Sequence, residues 1–253
     1  MKITRRDEIK HYIEAKGEVT LNELQEMYPD CSMMTLRRDL IHLEEENFIK
    51  RTRGGAVSID RLGGMADGRY SQRVMDHTSA KMEIARKAVD LIDLSCSLYI
   101  DSGSTTMFFA KQLPDAHCAI LTSGVNTALE LTKNPKHSVT LLGGHLNHNS
   151  LSCGGAQALA YLSTVNIDTA VMATSGFSLE YGFTSGSYTD TEVKTAVINR
   201  ARRTIMLVDS SKIDRSLPTT FAHLSDVDIM VTDVKPSQEI INACEEAGVK
   251  LIY

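Results

Sequence analysis

The sequence contains no apolar run of about 18 residues, the length a membrane-spanning helix needs, so no membrane contact is expected. Its start, Met1–Glu8, carries charges with no apolar stretch behind them and does not read as a signal peptide. The five cysteines (Cys31, Cys96, Cys118, Cys153 and Cys244) are odd in number, scattered, and form no Cys-x-x-Cys pair. That argues for reduced thiols in a cytoplasmic protein rather than a disulfide framework. A basic excess is also missing: 27 Lys and Arg face 32 Asp and Glu, a formal charge of −5. Nucleic-acid binding would therefore require cations gathered locally, because position matters more than the total. Neither the Gly-x4-Gly-Lys nor the Gly-x-Gly-x-x-Gly spacing occurs, so no nucleotide cofactor is expected.

With 253 residues and 42% hydrophobic side chains, the chain is long enough for two domains with real cores. Residues 1–59 read as helix, helix, tight turn, helix, then a hairpin. Arg5–Lys16 carries Ile9, Tyr12 and Ile13 on one face and stops at Gly17. Glu18–Thr20 is a short extended link, and Thr20 or Asn22 caps a second helix that ends before Pro29. Ser32 caps the third helix, in which Leu36, Leu40 and Leu43 form an apolar stripe. At about 100° per residue Arg38 lies opposite that stripe, with Met34 and His42 beside it and Thr35 and Arg37 on the flanks. This layout suits a major groove: Arg38, with Met34 and His42, would read bases, while Ser32, Thr35 and Arg37 hold phosphates. The alternative is a surface helix whose arginines are solvated or paired with Asp39 or Glu44. Two short strands follow over Phe48–Ile59, turning near Gly54 and Gly55, and bear Lys50, Arg51 and Arg53. Such a wing would place Arg51 and Arg53 on the DNA backbone.

Residues 60–78, rich in Gly and polar residues, read as a linker. A helix over Ser79–Asp93 is expected to bury Met82, Ala85, Val89 and Ile92 behind a Ser or Thr cap. Over 79–253, seven apolar runs (Leu98–Ile100, Ala119–Leu121, Val139–Leu142, Thr169–Ala173, Ile205–Val208, Asp228–Val231 and Lys250–Ile252) alternate with helical segments. The pattern predicts an α/β domain with a largely parallel sheet covered on both faces, whose ligand lies beyond the C-terminal strand ends. Small polar residues collect there. Asp101-Ser102-Gly103-Ser104-Thr105-Thr106 suits a phosphate, and Thr122-Ser123, Gly143-Gly144, Thr184, Lys194 and Lys212 complete a candidate pocket. His145, His148 and Cys153 lack a fourth ligand, so no metal is assigned.

Taken together, the residues Thr35–Leu40 with Leu43-Glu44 and Arg53–Ala56 resemble the DNA-binding signature of the DeoR family of bacterial transcriptional regulators. Asp101–Thr105, Gly143-Gly144, Glu192–Lys194 and Asp209–Lys212 resemble that family's effector domain, and the likeness covers essentially the whole chain. It implies a winged helix-turn-helix joined to a domain similar to ribose-phosphate isomerases. It further implies a non-enzymatic repressor of a sugar-metabolism operon, released from double-stranded operator DNA by a phosphorylated sugar. A homodimer or tetramer is expected, because one winged helix reads few base pairs. The competing expectation is a sugar-phosphate isomerase. The isomerases place acidic residues in the loop after the fourth strand of the domain, where this chain has Ala173–Ser178 and no carboxylate; Asp101 and Glu192 are the nearest candidates.

Overall fold

The computed structural model describes residues 5–46, 48–58, 70–93 and 95–253. The chain divides into two compact units, Met1–Ala66 and Asp67–Tyr253.

In the first unit the elements run α1 (Arg5–Lys16), β1 (Glu18–Thr20), α2 (Leu21–Met27), α3 (Met33–Glu45), β2 (Ile49–Arg51) and β3 (Gly55–Ser58). Gly17, at φ 85°, ends α1 in the left-handed region that a glycine enters without penalty. Thr20, not Asn22, caps α2: its hydroxyl accepts from the Glu23 amide at 3.1 Å while its own N–H donates to the Glu23 carboxylate at 2.8 Å. Glu18–Thr20 is more than a link, since it pairs antiparallel with β3 and makes the wing a three-stranded sheet in the order β1-β3-β2. Three residues carry too little alternation to announce a strand whose partner lies nearly forty positions on. Gly55 is required at that crossing, where a Cβ would stand 1.9 Å from the Val19 carbonyl oxygen. The apolar stripe of α3 closes a small core: Leu36, Leu40 and Leu43 are buried with Ile9, Ile13, Leu24 and Ile49.

The second unit begins with α4 (Tyr70–Met75) and α5 (Thr78–Val89). Of the expected linker, residues 60–69 lie outside the described residues, while from Tyr70 onward the chain is built into the unit, with the Tyr70 amide donating to the Asn149 carbonyl at 2.8 Å. Then follow β4 (Ser97–Ile100), α6 (Ser104–Ala110), β5 (Cys118–Thr122), α7 (Val125–Leu131), β6 (His137–Leu141), β7 (His145–Asn147), β8 (Ser152–Gly154), α8 (Ala156–Leu162) and β9 (Ile167–Ala173). The remainder is β10 (Gly176–Ser178), β11 (Gly182–Ser185), α9 (Tyr188–Ile198), β12 (Ala201–Val208), β13 (Thr219–Ala222), β14 (Ile229–Thr232), α10 (Gln238–Glu246) and β15 (Lys250–Ile252). The seven apolar runs are the seven strands of one parallel sheet, ordered β15-β14-β12-β9-β4-β5-β6. Successive side chains feed two cores: Leu98, Ile100, Val171, Ile205, Leu207, Ile229 and Val231 join α5 and α6. Tyr99, Ala170, Met172, Met206, Val208 and Met230 join α8, α9 and α10 on the other face. Burial on both sides is why β4, β9, β12 and β14 read as continuous apolar runs, whereas the cover on both faces expected of the whole sheet is incomplete at β5, β6 and β15, which expose some of their side chains.

The stripe of α5 is rotated from the expected one. Lys81, Ile84, Ala85 and Ala88 are buried, Met82 is exposed, and His77 occupies the cap position without a side-chain bond. A lysine is a poor candidate for a core position, yet here the Lys81 ammonium donates to the Arg73 carbonyl and, at 2.6 Å, to the Asp76 carbonyl. Those bonds offset the cost of burying the charge.

Candidate functional site

On α3, Ser32 caps the helix, its hydroxyl accepting from the Thr35 amide at 3.2 Å and lying 2.9 Å from the Thr35 hydroxyl. Met34, Arg37 and Arg38 are exposed. The two acids that might have neutralised these arginines are engaged elsewhere. Asp39, buried, bonds Arg5 at 2.8 Å and Arg6 at 2.9 Å, and Glu44 bonds the Arg51 guanidinium at 2.6 Å. Among the described residues no ion pair joins Arg37 or Arg38 to a carboxylate. Burial alone would push the Asp39 carboxyl up, but the hydrogen bonds from Arg5 and Arg6 outweigh it and hold it below its ordinary value. His42, one helical turn beyond Arg38, is half-buried, 3.1 Å from Glu46, and lines a cleft with Arg6, Lys10 and Phe48. On the wing Lys50, Arg51 and Arg53 are exposed, Arg51 being tethered to Glu44.

In the second unit a small cleft opens beyond the C-terminal ends of β4 and β9. Its walls are Arg73, Ser102, Gly103, Ser150, Ala173, Thr174, Ser175, Ser185, Asp190 and Lys194. Beneath it Lys194, only 7% exposed, forms a buried ion pair with Asp101 and donates to the Ala173 carbonyl at 2.8 Å. Asp101 also accepts from the Ala173 amide at 3.2 Å, so the pair ties α9 to the ends of β4 and β9. Lys194, one of two surface lysines in appearance, is thus a buried, ion-paired part of the cleft wall. Asp190 comes from the first turn of α9, capped by Ser187, and its carboxylate accepts from Ser152 at 2.6 Å.

The predicted pocket residues divide. Ser102, Gly103 and Lys194 line the cleft and Asp101 underlies it; Ser104 and Thr105 open α6, whose cap Gly103 makes no side-chain bond. Thr106 turns inward to the Asp101 and Gly103 carbonyls at 2.7 and 2.8 Å. Thr122 caps its own turn through the Gly124 amide at 3.0 Å, and Ser123 meets the Tyr99 hydroxyl at 2.9 Å. Thr184 donates to the Gly176 carbonyl and accepts from the Leu217 amide, at 3.1 and 3.0 Å. Gly143 and Gly144 are exposed and, with half-buried Lys212, are not among the cleft walls. Thr106, Thr122 and Thr184 thus satisfy strand-end backbone, which is the commoner use of Thr at such turns. His145 and His148 are exposed, and the described residues hold no group of three or more His, Cys, Asp or Glu able to bind a metal.

Sequence reasoning missed Arg73 and Asp190. The available signal for Arg73 was the Tyr70 and Val74 pair at i, i+4, which marks a one-sided helical turn inside an otherwise polar stretch. For Asp190 it was the cap Ser187, three residues upstream.

Residues 5–62 match the DeoR-like helix-turn-helix domain, and residues 76–234 match the DeoR C terminal sensor domain. The chain is 29% identical over 245 residues to the HTH-type transcriptional regulator GolR of Listeria innocua, covering 96% of this chain and 95% of that protein. It is 32% identical over 218 residues to the HTH-type transcriptional repressor GlcR of Bacillus subtilis, covering 86% and 83%. Against the glycerol-3-phosphate regulon repressor of Escherichia coli it is 28% identical over 253 residues, covering 99% of each. Among solved structures, ribose 5 phosphate isomerase A from Neisseria gonorrhoeae aligns over 54% of this chain and 53% of that one, at 15% identity and a TM-score of 0.40. Among the described residues no helix is long and apolar enough to cross a membrane. A capped recognition helix with outward arginines, a basic wing and a parallel-sheet unit with a polar cleft are the two halves that these family matches span, and the chain belongs to the DeoR family of helix-turn-helix transcriptional regulators.

Proposed function

We propose that this regulator represses a sugar-metabolism operon and that a phosphorylated sugar, held in the cleft of the second unit, releases it from operator DNA. The observation that carries the DNA half is that Arg37 and Arg38 stand exposed on α3 while Asp39 and Glu44 are occupied by other arginines. Arg38 would fork onto a base edge with the Met34 side chain beside it, and Ser32, Thr35, Arg37 and Arg53 would hold phosphates. His42 and Arg51, each already tied to a glutamate, would contribute less. A dimer or tetramer would pair half-sites.

The effector half rests on a polar cleft beside the N-terminal end of α6 and a buried Lys194. Thermal unfolding against phosphorylated sugars, each paired with its unphosphorylated form, tests it. A ligand at about 100 times its Kd adds roughly 2.7 kcal/mol, a shift on the order of 5–10 °C for a domain of this size. Only the phosphorylated member of a pair should shift the protein. The isomerase reading gains one supporting observation, the Asp190 carboxylate in the cleft wall. A sensor returns its ligand unchanged; recovery of an isomer would establish the enzyme instead.

A further inference from the structure

We infer that Met34 selects a thymine in the operator by contact with its C5-methyl group, beside the base that Arg38 contacts; this rests on the reading of α3 as the base-contacting helix. Met34 is an apolar side chain that the core does not claim. The buried stripe of α3 is complete in Leu36, Leu40 and Leu43, each no more than 2% exposed, whereas Met34 is 60% exposed. Met34 lies four residues before Arg38 and about 40° round the helix from it, so the two side chains share one outward row. Single apolar residues on a surface are ordinary. This one stands next to an exposed arginine that no described carboxylate pairs, on the face proposed to meet DNA.

The distribution of charge along α3 sets which end approaches a duplex. Its first turn is capped by Ser32 and holds no acid, so the positive end of the helix is presented without a carboxylate. Its last turn runs into Glu44, Glu45 and Glu46, which a phosphate backbone repels. The N-terminal half therefore comes closest to the bases, and Met34 is the second residue of the helix. The other large apolar side chains that α3 exposes are worse placed. Met33 lies about 140° round from Arg38, and Ile41 sits about 10 Å further towards the acidic end. A thioether has no hydrogen to donate to a base edge and accepts only weakly. Among the groups that the major groove presents, the thymine methyl is the apolar one, and an unbranched methionine adapts to reach it. Four residues of helix rise about 6 Å, which places that thymine within about two base pairs of the base that Arg38 contacts.

The test uses the full-length chain and a duplex that it selects from random sequence. Arg38→Ala first locates the base pair at which preference relaxes. Each thymine around that pair is then replaced by deoxyuridine, which keeps the pairing and the O4 acceptor and removes the methyl alone. Competition binding at constant ionic strength compares the wild type with Met34→Ala and Met34→Leu, each checked to melt as the wild type does. The expected result is one thymine whose methyl contributes about fourfold to wild-type affinity, a dependence kept in Met34→Leu and lost in Met34→Ala. If Arg38→Ala relaxes preference but the wild type is indifferent to every deoxyuridine, or Met34→Ala keeps the full wild-type dependence, the Met34 assignment is wrong and the reading of α3 stands. If Arg38→Ala relaxes preference at no position, the reading of α3 falls and the Met34 assignment falls with it.

Discussion

The two units handle positive charge in opposite ways. On α3, Arg37 and Arg38 are exposed, and the nearby acids Asp39 and Glu44 are bound by Arg5, Arg6 and Arg51. In the cleft, Lys194 is buried and bound to Asp101. An exposed arginine meets a polyanion through water and salt, so its contribution falls as counterions compete. A buried cation matched by a carboxylate is insulated from salt, and it selects by geometry. On the proposed function, α3 would bind DNA in a salt-sensitive way and the cleft would hold its small ligand in a salt-insensitive one.

Breaking the buried side should give the largest effect. Lys194→Met leaves Asp101 uncompensated and should cost on the order of 3–5 kcal/mol, lowering the melting temperature of the second unit by about 10 °C. Adding Asp101→Asn to the same protein should recover part of that loss, and a fully additive double mutant would show that the two residues are not coupled. In the first unit, Gly55→Ala forces a Cβ against the Val19 carbonyl at the β1–β3 crossing. Overpacking of this kind costs about 1–3 kcal/mol, and calorimetry should show it in the transition of the first unit alone.

The exposed side is sharpened by two DNA variants. Arg38→Ala should cost about 1–3 kcal/mol on the preferred sequence and relax base preference at one position. Arg51→Ala should weaken all duplexes alike and flatten the salt slope by about one unit at most, less to the extent that Glu44 already holds the guanidinium. Equal losses for both variants on specific and random DNA would remove the distinction between readout and backbone contact. The smallest expected effect is acid sensitivity. Because Asp39 is held below its ordinary value of 3.8 by Arg5 and Arg6, its ion pairs stabilise the first unit above that pH and are lost as the pH falls through the lowered value. Asp39→Asn should be less stable than the wild type at neutral pH and should converge with it in acid.

Much of the fold could be read from the chain because its physics is local or repetitive. The central strands β4, β9, β12 and β14 are largely buried on both faces, and the α3 stripe of Leu36, Leu40 and Leu43 repeats at helical spacing. What escaped depends on partners far along the chain. β1 becomes a strand only because Gly55 lets β3 approach. The short polar strands β7, β8, β10, β11 and β13 have no apolar run to announce them. At the cleft, Asp101, Ser102, Gly103 and Lys194 stood out as strand-end or cationic residues, while Thr106, Thr122 and Thr184 looked equivalent but bond backbone and Ser123 bonds the Tyr99 hydroxyl. A hydroxyl beside a turn serves either purpose, and only three dimensions separate them. Lys81 and Arg73 were invisible for a related reason: a charged residue on a helix gives no sign in the sequence that it is buried or lines a cleft.

The most direct measurement joins the two units. A duplex selected from random sequence by the full-length protein would be titrated with it in the presence and absence of the phosphorylated sugar that most raises its melting temperature. Loss of DNA affinity with the phosphorylated compound, and no change with its unphosphorylated partner, is the predicted result. A compound that stabilises the second unit yet leaves DNA affinity untouched would contradict control of the DNA-binding unit by the cleft.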